Sequence, residues 1–277
     1  MYYHYGKDWR REYEVANIEG TRNIIEAACR LGVKRVVFAA SIAALIPPSP
    51  GQVLNERATD TTGFPYGRSK AAGELLFAER AAELPAVVLR LGGVFSDWCE
   101  LPPLASLMRL WCRRGPVGRC MPGSGQAGFP YIHRDELVRV VRRVLERNDT
   151  LDRHEVLFVS EDGCTCHRDL FQPIRRCCGH DSDAASIHVP PGLVALFLCL
   201  KLTANALLRR NTYEQPWMLA YAARPLRVDT AYSRSRLDWT PHPEYGIRER
   251  LPILMANFTR YRQQWADRNT RRNEYEP

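Results

Sequence analysis

Tyr66 and Lys70 stand four residues apart in a stretch of good helix formers, so their side chains share one helix face. Ser41 closes a Val-rich run. A phenol with a pKa of about 10 is a poor base near neutrality. An ammonium beside it favours the phenolate and turns it into a proton acceptor. A Ser hydroxyl next to that pair can hold an oxygen while the phenol gives or takes its proton. The chemistry on offer is proton transfer at a hydroxyl or carbonyl oxygen, the kind that accompanies hydride transfer. Twelve Tyr and four Lys in 277 residues give one Tyr-x-x-x-Lys by accident in about one chain in six. The motif therefore needs its context.

That context is a run of alternating elements. Glu12 to Arg30 reads as a helix, with Gly32 just past its end. Arg35 to Ala40 is a continuous apolar run, expected to be a strand buried on both faces with Ser41 at its carboxyl end. Pro47, Pro48, Pro50 and Gly51 mark a loop. The pattern then predicts a helix over Tyr66–Ala82, a second buried strand over Ala86–Leu91 and a helix over Leu104–Arg113. A Gly- and Pro-rich loop follows from Gly115 to Gly128, then an amphipathic helix over Asp135–Arg147. Val156–Ser160 reads as strand, Asp169–Cys177 as helix and Ser186–Val189 as a short strand, with a largely helical remainder. Strands alternating with helices of this length imply a parallel sheet covered on both faces. Such sheets place ligands at the carboxyl ends of their strands.

The formal charge of +8 comes almost wholly from Arg interspersed with Glu and Asp, and no nucleic-acid module accompanies it, so a solvated surface is expected. The N-terminus has no apolar core of the signal-peptide kind. The most apolar stretch, Leu193–Leu208, is shorter than a typical span and contains Lys201 and Asn205. It is expected to be a buried or interfacial helix packed largely against the protein itself. Nine Cys without a secretory signal read as reduced thiols of a cytosolic protein. Cys164, Cys166, Cys177 and Cys178, with His167 and His180 adjacent, invite zinc. The helix between the two pairs would hold them about 16 Å apart, so no metal is expected there.

The chain resembles the extended short-chain dehydrogenase/reductases, of the epimerase/dehydratase or 3β-hydroxysteroid-dehydrogenase-like kind. Asn17-Ile18-Glu19-Gly20-Thr21-Arg22-Asn23 matches the family's Asn-Val-x-Gly-Thr-x-Asn helix motif. Val33 to Ser41 looks like its strand leading to the active-site Ser, and Tyr66-Gly67-Arg68-Ser69-Lys70 is its Tyr-x-x-x-Lys at the expected distance. Leu89-Arg90 with Val94-Phe95, Tyr131-Ile132-His133-Arg134-Asp135 and Leu237-Asp238-Trp239-Thr240-Pro241 resemble three later family segments. The resemblance implies Tyr66 as general acid/base, Lys70 as the tuner of Tyr66 and binder of the nicotinamide ribose, and Ser41 as hydrogen-bond partner of the reacting oxygen. It further implies NAD or NADP as cofactor, with the backbone of Gly92, Gly93 and Val94 near the nicotinamide. Asn17 would support the helix geometry beside the site.

Two departures matter. The family's opening strand, Gly-x-x-Gly-x-x-Gly turn and helix have no counterpart. Gly115-Pro116-Val117-Gly118 and Gly123-Ser124-Gly125 follow no strand–turn–helix pattern. The chain is thus expected to be a fragment, a mis-started product or a degenerate homologue, with an exposed sheet edge and impaired cofactor affinity. Leu91-Gly92-Gly93 also stands where nucleotide-sugar enzymes usually carry an Asn. The Leu193–Leu208 stretch resembles the membrane-adjacent region of 3β-hydroxysteroid-dehydrogenase-like members, which favours a lipophilic alcohol or ketone.

The expected fold is α/β, a doubly wound Rossmann-like parallel sheet lacking its first strands and glycine loop, with a small, mainly helical C-terminal lobe. Residues 1–160 would form the partial NAD(P)-binding domain, with lobe segments interleaved from about 95. Residues 161–266 would be mainly the substrate lobe, and 267–277 a charged, frayed tail. The function implied is an NAD(P)-dependent oxidoreductase. A nucleotide-sugar epimerase/dehydratase and a non-catalytic binding protein stay open beside it. Expected partners are a small molecule and no nucleic acid, in the cytoplasm. Peripheral membrane contact through 193–208 and a homodimer also stay open.

Overall fold

The computed structural model describes residues 11, 13–49, 51–180, 184–208, 216, 219 and 224–269. In chain order it contains α1 (Gly20–Arg30), β1 (Val36–Ser41), α2 (Pro65–Glu79), β2 (Ala86–Leu91), β3 (Gly93–Phe95) and α3 (Pro102–Trp111). Then come β4 (Cys120–Pro122), β5 (Gly128–Phe129), β6 (Tyr131–His133), α4 (Arg134–Glu146), β7 (His154–Val159), β8 (Thr165–Cys166) and α5 (His167–Cys177). The last are β9 (Ile187–Val189), α6 (Pro191–Leu207), α7 (Ala231–Leu237), α8 (Ile247–Arg260) and α9 (Arg262–Asn269). A π-helical segment, Glu14–Glu19, leads into α1.

The main sheet runs β1–β2–β7, all parallel, with Ser41, Leu91 and Val159 in register at its carboxyl edge. Every residue of β2 is buried, Arg90 included. On one face Val87, Leu89 and Leu157 pack against Val140 and Val144 of α4 and Leu237 of α7. On the other, Ala86 lies with Ile25 and Ala28 of α1 and Phe77 of α2. Covering both faces is the doubly wound arrangement the alternation implied. The chain leaves this sheet at Gly92, and β3 pairs with β6. A helical lobe built on α3, α5, α8 and α9 buries Trp111, Phe171, Leu254 and Trp265.

Trp239 is buried in the cluster on the α4 face of the sheet. Its indole Nε1–H donates to Glu136 Oε2 at 3.0 Å, and Asp238 takes the left-handed conformation, φ 47°, that turns the chain after α7.

Several expectations need correction. β1 is not buried on both faces: Val36 to Phe38 are half-buried and Ala39 is exposed, because β1 borders only one strand among the described residues. Cys112 and Cys178 are not thiols but a disulfide, Cα–Cα 5.6 Å. The ends of α3 and α5 are brought together by Trp111 packing edge-on to Phe171 and by Arg175 Nη1–H donating to the Trp111 carbonyl. α5 does separate Cys166 from Cys177, and no metal-holding cluster of His, Cys, Asp or Glu occurs among the described residues. Leu193–Leu208 does not pack against the protein for most of its apolar surface, since Leu198 is the one buried side chain of α6. No described helix is long and apolar enough to cross a membrane. The tail starts later than expected: α9 continues to Asn269, whose Nδ2–H donates to the Trp98 carbonyl at 2.7 Å. Met1–Arg10, Glu12, Pro50 and the rest of the expected tail lie outside the described residues.

His167 carries a test of the lobe. Its ring lies between Trp111 and Phe129, and Nδ1 is buried without a hydrogen-bond partner among the described residues. Burial pushes its pKa down from 6.5 to about 4. The folded value lies below the unfolded one, so the stability it confers is full above about pH 6.5 and is lost as pH falls towards 4. Between about pH 8 and about pH 5 this amounts to about 2 kcal/mol. His167→Phe should remove that part of the slope in urea titrations at the two pH values. An unchanged slope would mean that His167 titrates normally in the fold.

Candidate active site

Ser41, Tyr66 and Lys70 meet on five consecutive residues, 39–43. Ser41 ends β1 in extended conformation and caps a short 3-10 turn, Ile42–Ala44. Its Oγ accepts the Ala43 N–H at 3.1 Å, a role that leaves its own O–H to donate. Lys70 reaches back along α2, and its Nζ donates to the Ala39 carbonyl at 2.9 Å. The ammonium lies 5.4 Å from the centre of the Phe38 ring. Tyr66 is buried in the first turn of α2, in a cluster with Tyr13, Phe64 and Ala43.

The approach of α2 depends on Gly67. A Cβ there would lie 2.1 Å from Thr62 Cγ2 and 2.6 Å from the Ala43 carbonyl oxygen. Pro65 starts the helix, where a missing N–H costs nothing. Six residues further on, a Cβ at Gly73 would strike the Phe38 ring at 2.7 Å. Gly73 lets the helix lie on β1, and Gly67 lets it lie on the 3-10 turn that follows β1. Gly67→Ala should therefore cost about 1–3 kcal/mol and shift Tyr66. Chemical denaturation reads the first effect, and an unaltered midpoint would contradict the packing.

Asn17 belongs to the π-helical segment, and its Nδ2–H donates to Ser69 Oγ at 2.9 Å. Ser69 Oγ–H in turn donates to the Tyr66 carbonyl at 2.8 Å. Asn17 thus reaches the Tyr66 backbone through one intermediate. Sequence reading missed Ser69, although it lies inside the quoted Tyr66–Lys70 string, and missed Phe38 beneath Lys70.

Gly92, Gly93 and Val94 lie beyond the β2 end of the same edge. Gly92 N–H donates to the Val159 carbonyl and Gly93 N–H to the Pro130 carbonyl, while Val94 pairs with Ile132. A Cβ at Gly92 would sit 2.6 Å from the Pro130 carbonyl oxygen. This stretch is a packed corner whose two Gly N–H groups are already used.

The electrostatics follow from burial. Desolvation lowers the Lys70 pKa below its ordinary value, and the nearby Glu74 carboxylate opposes that shift. Glu74 also holds Arg90 of β2: Nη2 to Oε2 is 2.7 Å, with both side chains buried. Arg90 Nη1–H donates to the Glu56 and Ala58 carbonyls. One buried ion pair therefore ties α2, β2 and the loop before Tyr66.

The model of the NAD dependent epimerase/dehydratase family matches residues 4–159. The chain is 25% identical over 256 residues to the human protein 3 beta-hydroxysteroid dehydrogenase type 7, covering 86% of this chain and 69% of that one. It is 26% identical over 196 residues to sterol demethylase protein B of Methylococcus capsulatus, covering 69% of this chain and 56% of that one. The fold is similar to that of dTDP-glucose 4,6-dehydratase from Bacillus anthracis, solved in complex with NAD, with a TM-score of 0.66 at 14% identity. That match covers 92% of this chain and 71% of the other.

Proposed function

This chain belongs to the NAD dependent epimerase/dehydratase family, and we propose that it is an NAD(P)-dependent oxidoreductase of the extended short-chain type, acting on the hydroxyl or keto group of a small lipophilic molecule. The observation that carries this reading is the convergence of Ser41, Tyr66 and Lys70 on residues 39–43 at the sheet's carboxyl edge. The steroid and sterol named in two relatives favour a lipophilic substrate.

The nicotinamide half of the cofactor suits the residues present. Lys70 would hold the ribose, and the Gly92–Val94 corner would wall the ring by contact, since its Gly N–H groups are engaged. The pyrophosphate half does not suit them. No described strand runs through a glycine turn into a helix N-terminus, the arrangement whose N–H groups bind phosphate. Weak cofactor binding is therefore part of the proposal.

When bound, NAD(P) supplies the hydride acceptor, or the donor in the reverse direction. Ser41 Oγ–H hydrogen-bonds the reacting oxygen. In oxidation the Tyr66 phenolate would accept the hydroxyl proton. In reduction the Tyr66 hydroxyl returns a proton to the carbonyl oxygen. The Lys70 charge favours the phenolate.

The test is fluorescence titration of the whole chain with NADH and NADPH. A panel of steroids and sterols, aliphatic ketones and nucleotide sugars follows at saturating cofactor. Saturation only at millimolar cofactor, with turnover of a lipophilic alcohol or ketone, is expected. Micromolar affinity would overturn the weak-binding part. Turnover of nucleotide sugars alone would make the chain an epimerase/dehydratase instead. Bound cofactor with no turnover would make it a binding protein.

A further inference from the structure

Lys70 is half-buried, and burial works against its charge. The chemistry proposed for it needs that charge kept. On α2 the titratable neighbours of Lys70 are Tyr66 and Glu74, each one turn away, and β1 carries no titratable side chain. The Glu74 carboxylate attracts the ammonium, but Arg90 already holds that carboxylate at 2.7 Å. Two groups of β1 supply the rest. The Ala39 carbonyl accepts a hydrogen bond from Nζ at 2.9 Å. The Phe38 ring lies with its centre 5.4 Å from Nζ. The face of an aromatic ring is electron-rich and attracts a cation within about 6 Å.

The ring is fixed where it lies. Its Cζ edge abuts Gly73, where a Cβ would come within 2.7 Å. Phe77 packs against it with ring centres 5.0 Å apart, and the cluster of Ile25, Ala28 and Leu84 backs both. Phe38 and Ala39 are consecutive, so one short piece of strand offers the ammonium a ring face and a carbonyl together. An aliphatic side chain at position 38 would desolvate the ammonium equally and attract it not at all.

We propose that Phe38 is a positioning residue, whose ring face acts with the Ala39 carbonyl to hold the Lys70 ammonium charged and against the strand that ends in Ser41. This inference rests on the reading of Lys70 as the cation that tunes Tyr66, but its test needs neither cofactor nor turnover.

The whole chain is prepared with lysine carrying 13C at Cε, and the four lysines are titrated by NMR. Lys70→Arg identifies the Lys70 signal by its loss. Phe38→Leu removes the ring face, and the acid dissociation constant of Lys70 should rise about 2- to 30-fold, with Lys34 unchanged. A 2,6-difluorophenylalanine at position 38 guards against a packing defect in that variant. It keeps the ring and the edge at Gly73 but weakens the negative face, so Lys70 should move in the same direction by a smaller factor. A Lys70 titration that is unchanged by the difluoro ring, or moved to higher pH, would overturn the proposal. The expected change in a chain that turns nothing over would support this inference and sink the catalytic reading; an unchanged Lys70 titration in an active chain would do the reverse.

Discussion

Tyr66→Phe is expected to lower turnover by about 100- to 10,000-fold, the usual contribution of a positioned acid/base, while leaving the NADH titration in place. The ring of Tyr66 is held by Tyr13 and Phe64, with ring centres 6.0 and 6.2 Å away. Phenylalanine keeps that packing and removes only the hydroxyl that carries the proton. Lys70→Ala should differ in kind. It removes the charge that favours the phenolate and the ribose contact together, so turnover and cofactor affinity should both fall. Measuring kcat and cofactor affinity for the two variants side by side separates these outcomes. Full activity in Tyr66→Phe would remove Tyr66 from the chemistry.

Glu74→Ala should destabilise the fold by about 3–5 kcal/mol, because it strands a buried guanidinium. Arg90 is 7% exposed and Glu74 8%, and the guanidinium also anchors the Glu56 and Ala58 carbonyls. Replacing both partners by apolar residues of similar volume, Glu74→Leu with Arg90→Met, should recover much of the loss. Denaturant unfolding of the two single variants and the double variant measures this. The same change should reach the active site. Glu74 opposes the burial that depresses the Lys70 pKa, so without it that pKa falls further and any pH profile governed by Lys70 moves to lower pH. A loss below about 1 kcal/mol in Glu74→Ala would show the pair to be effectively solvated.

The strands of the main sheet were legible because Val-rich runs admit little else, and α2 because its formers sit between Pro65 and the turn after Glu79. β3 and β6 were not, since three residues carry too little periodicity to read. The spacing of Tyr66 and Lys70 was enough to put both on one helix, and the Val-rich run to put Ser41 at a strand end. The Asn17–Ser69 link was not, because a hydrogen bond spanning 52 positions leaves no local signal. The same holds for Cys112–Cys178, 66 residues apart. The burial of Arg90 inside an apolar strand is accounted for by its partner Glu74 on α2, a pairing with no local sequence signal. The stretch 193–208 misled for a different reason. Its composition says that it is apolar but not which neighbour takes the apolar surface, and α6 offers the protein only one of its two faces.

The catalytic reading is tested most directly by hydride tracing. The chain is incubated at saturating cofactor with NADH or NADPH deuterated at the transferable position and a lipophilic ketone, and the product alcohol is weighed by mass spectrometry. Deuterium at the carbinol carbon, lost in Tyr66→Phe, is the predicted result. Product without deuterium, or no alcohol from any ketone while nucleotide sugars turn over, would contradict the assignment of Ser41, Tyr66 and Lys70 to oxidoreduction of a lipophilic substrate.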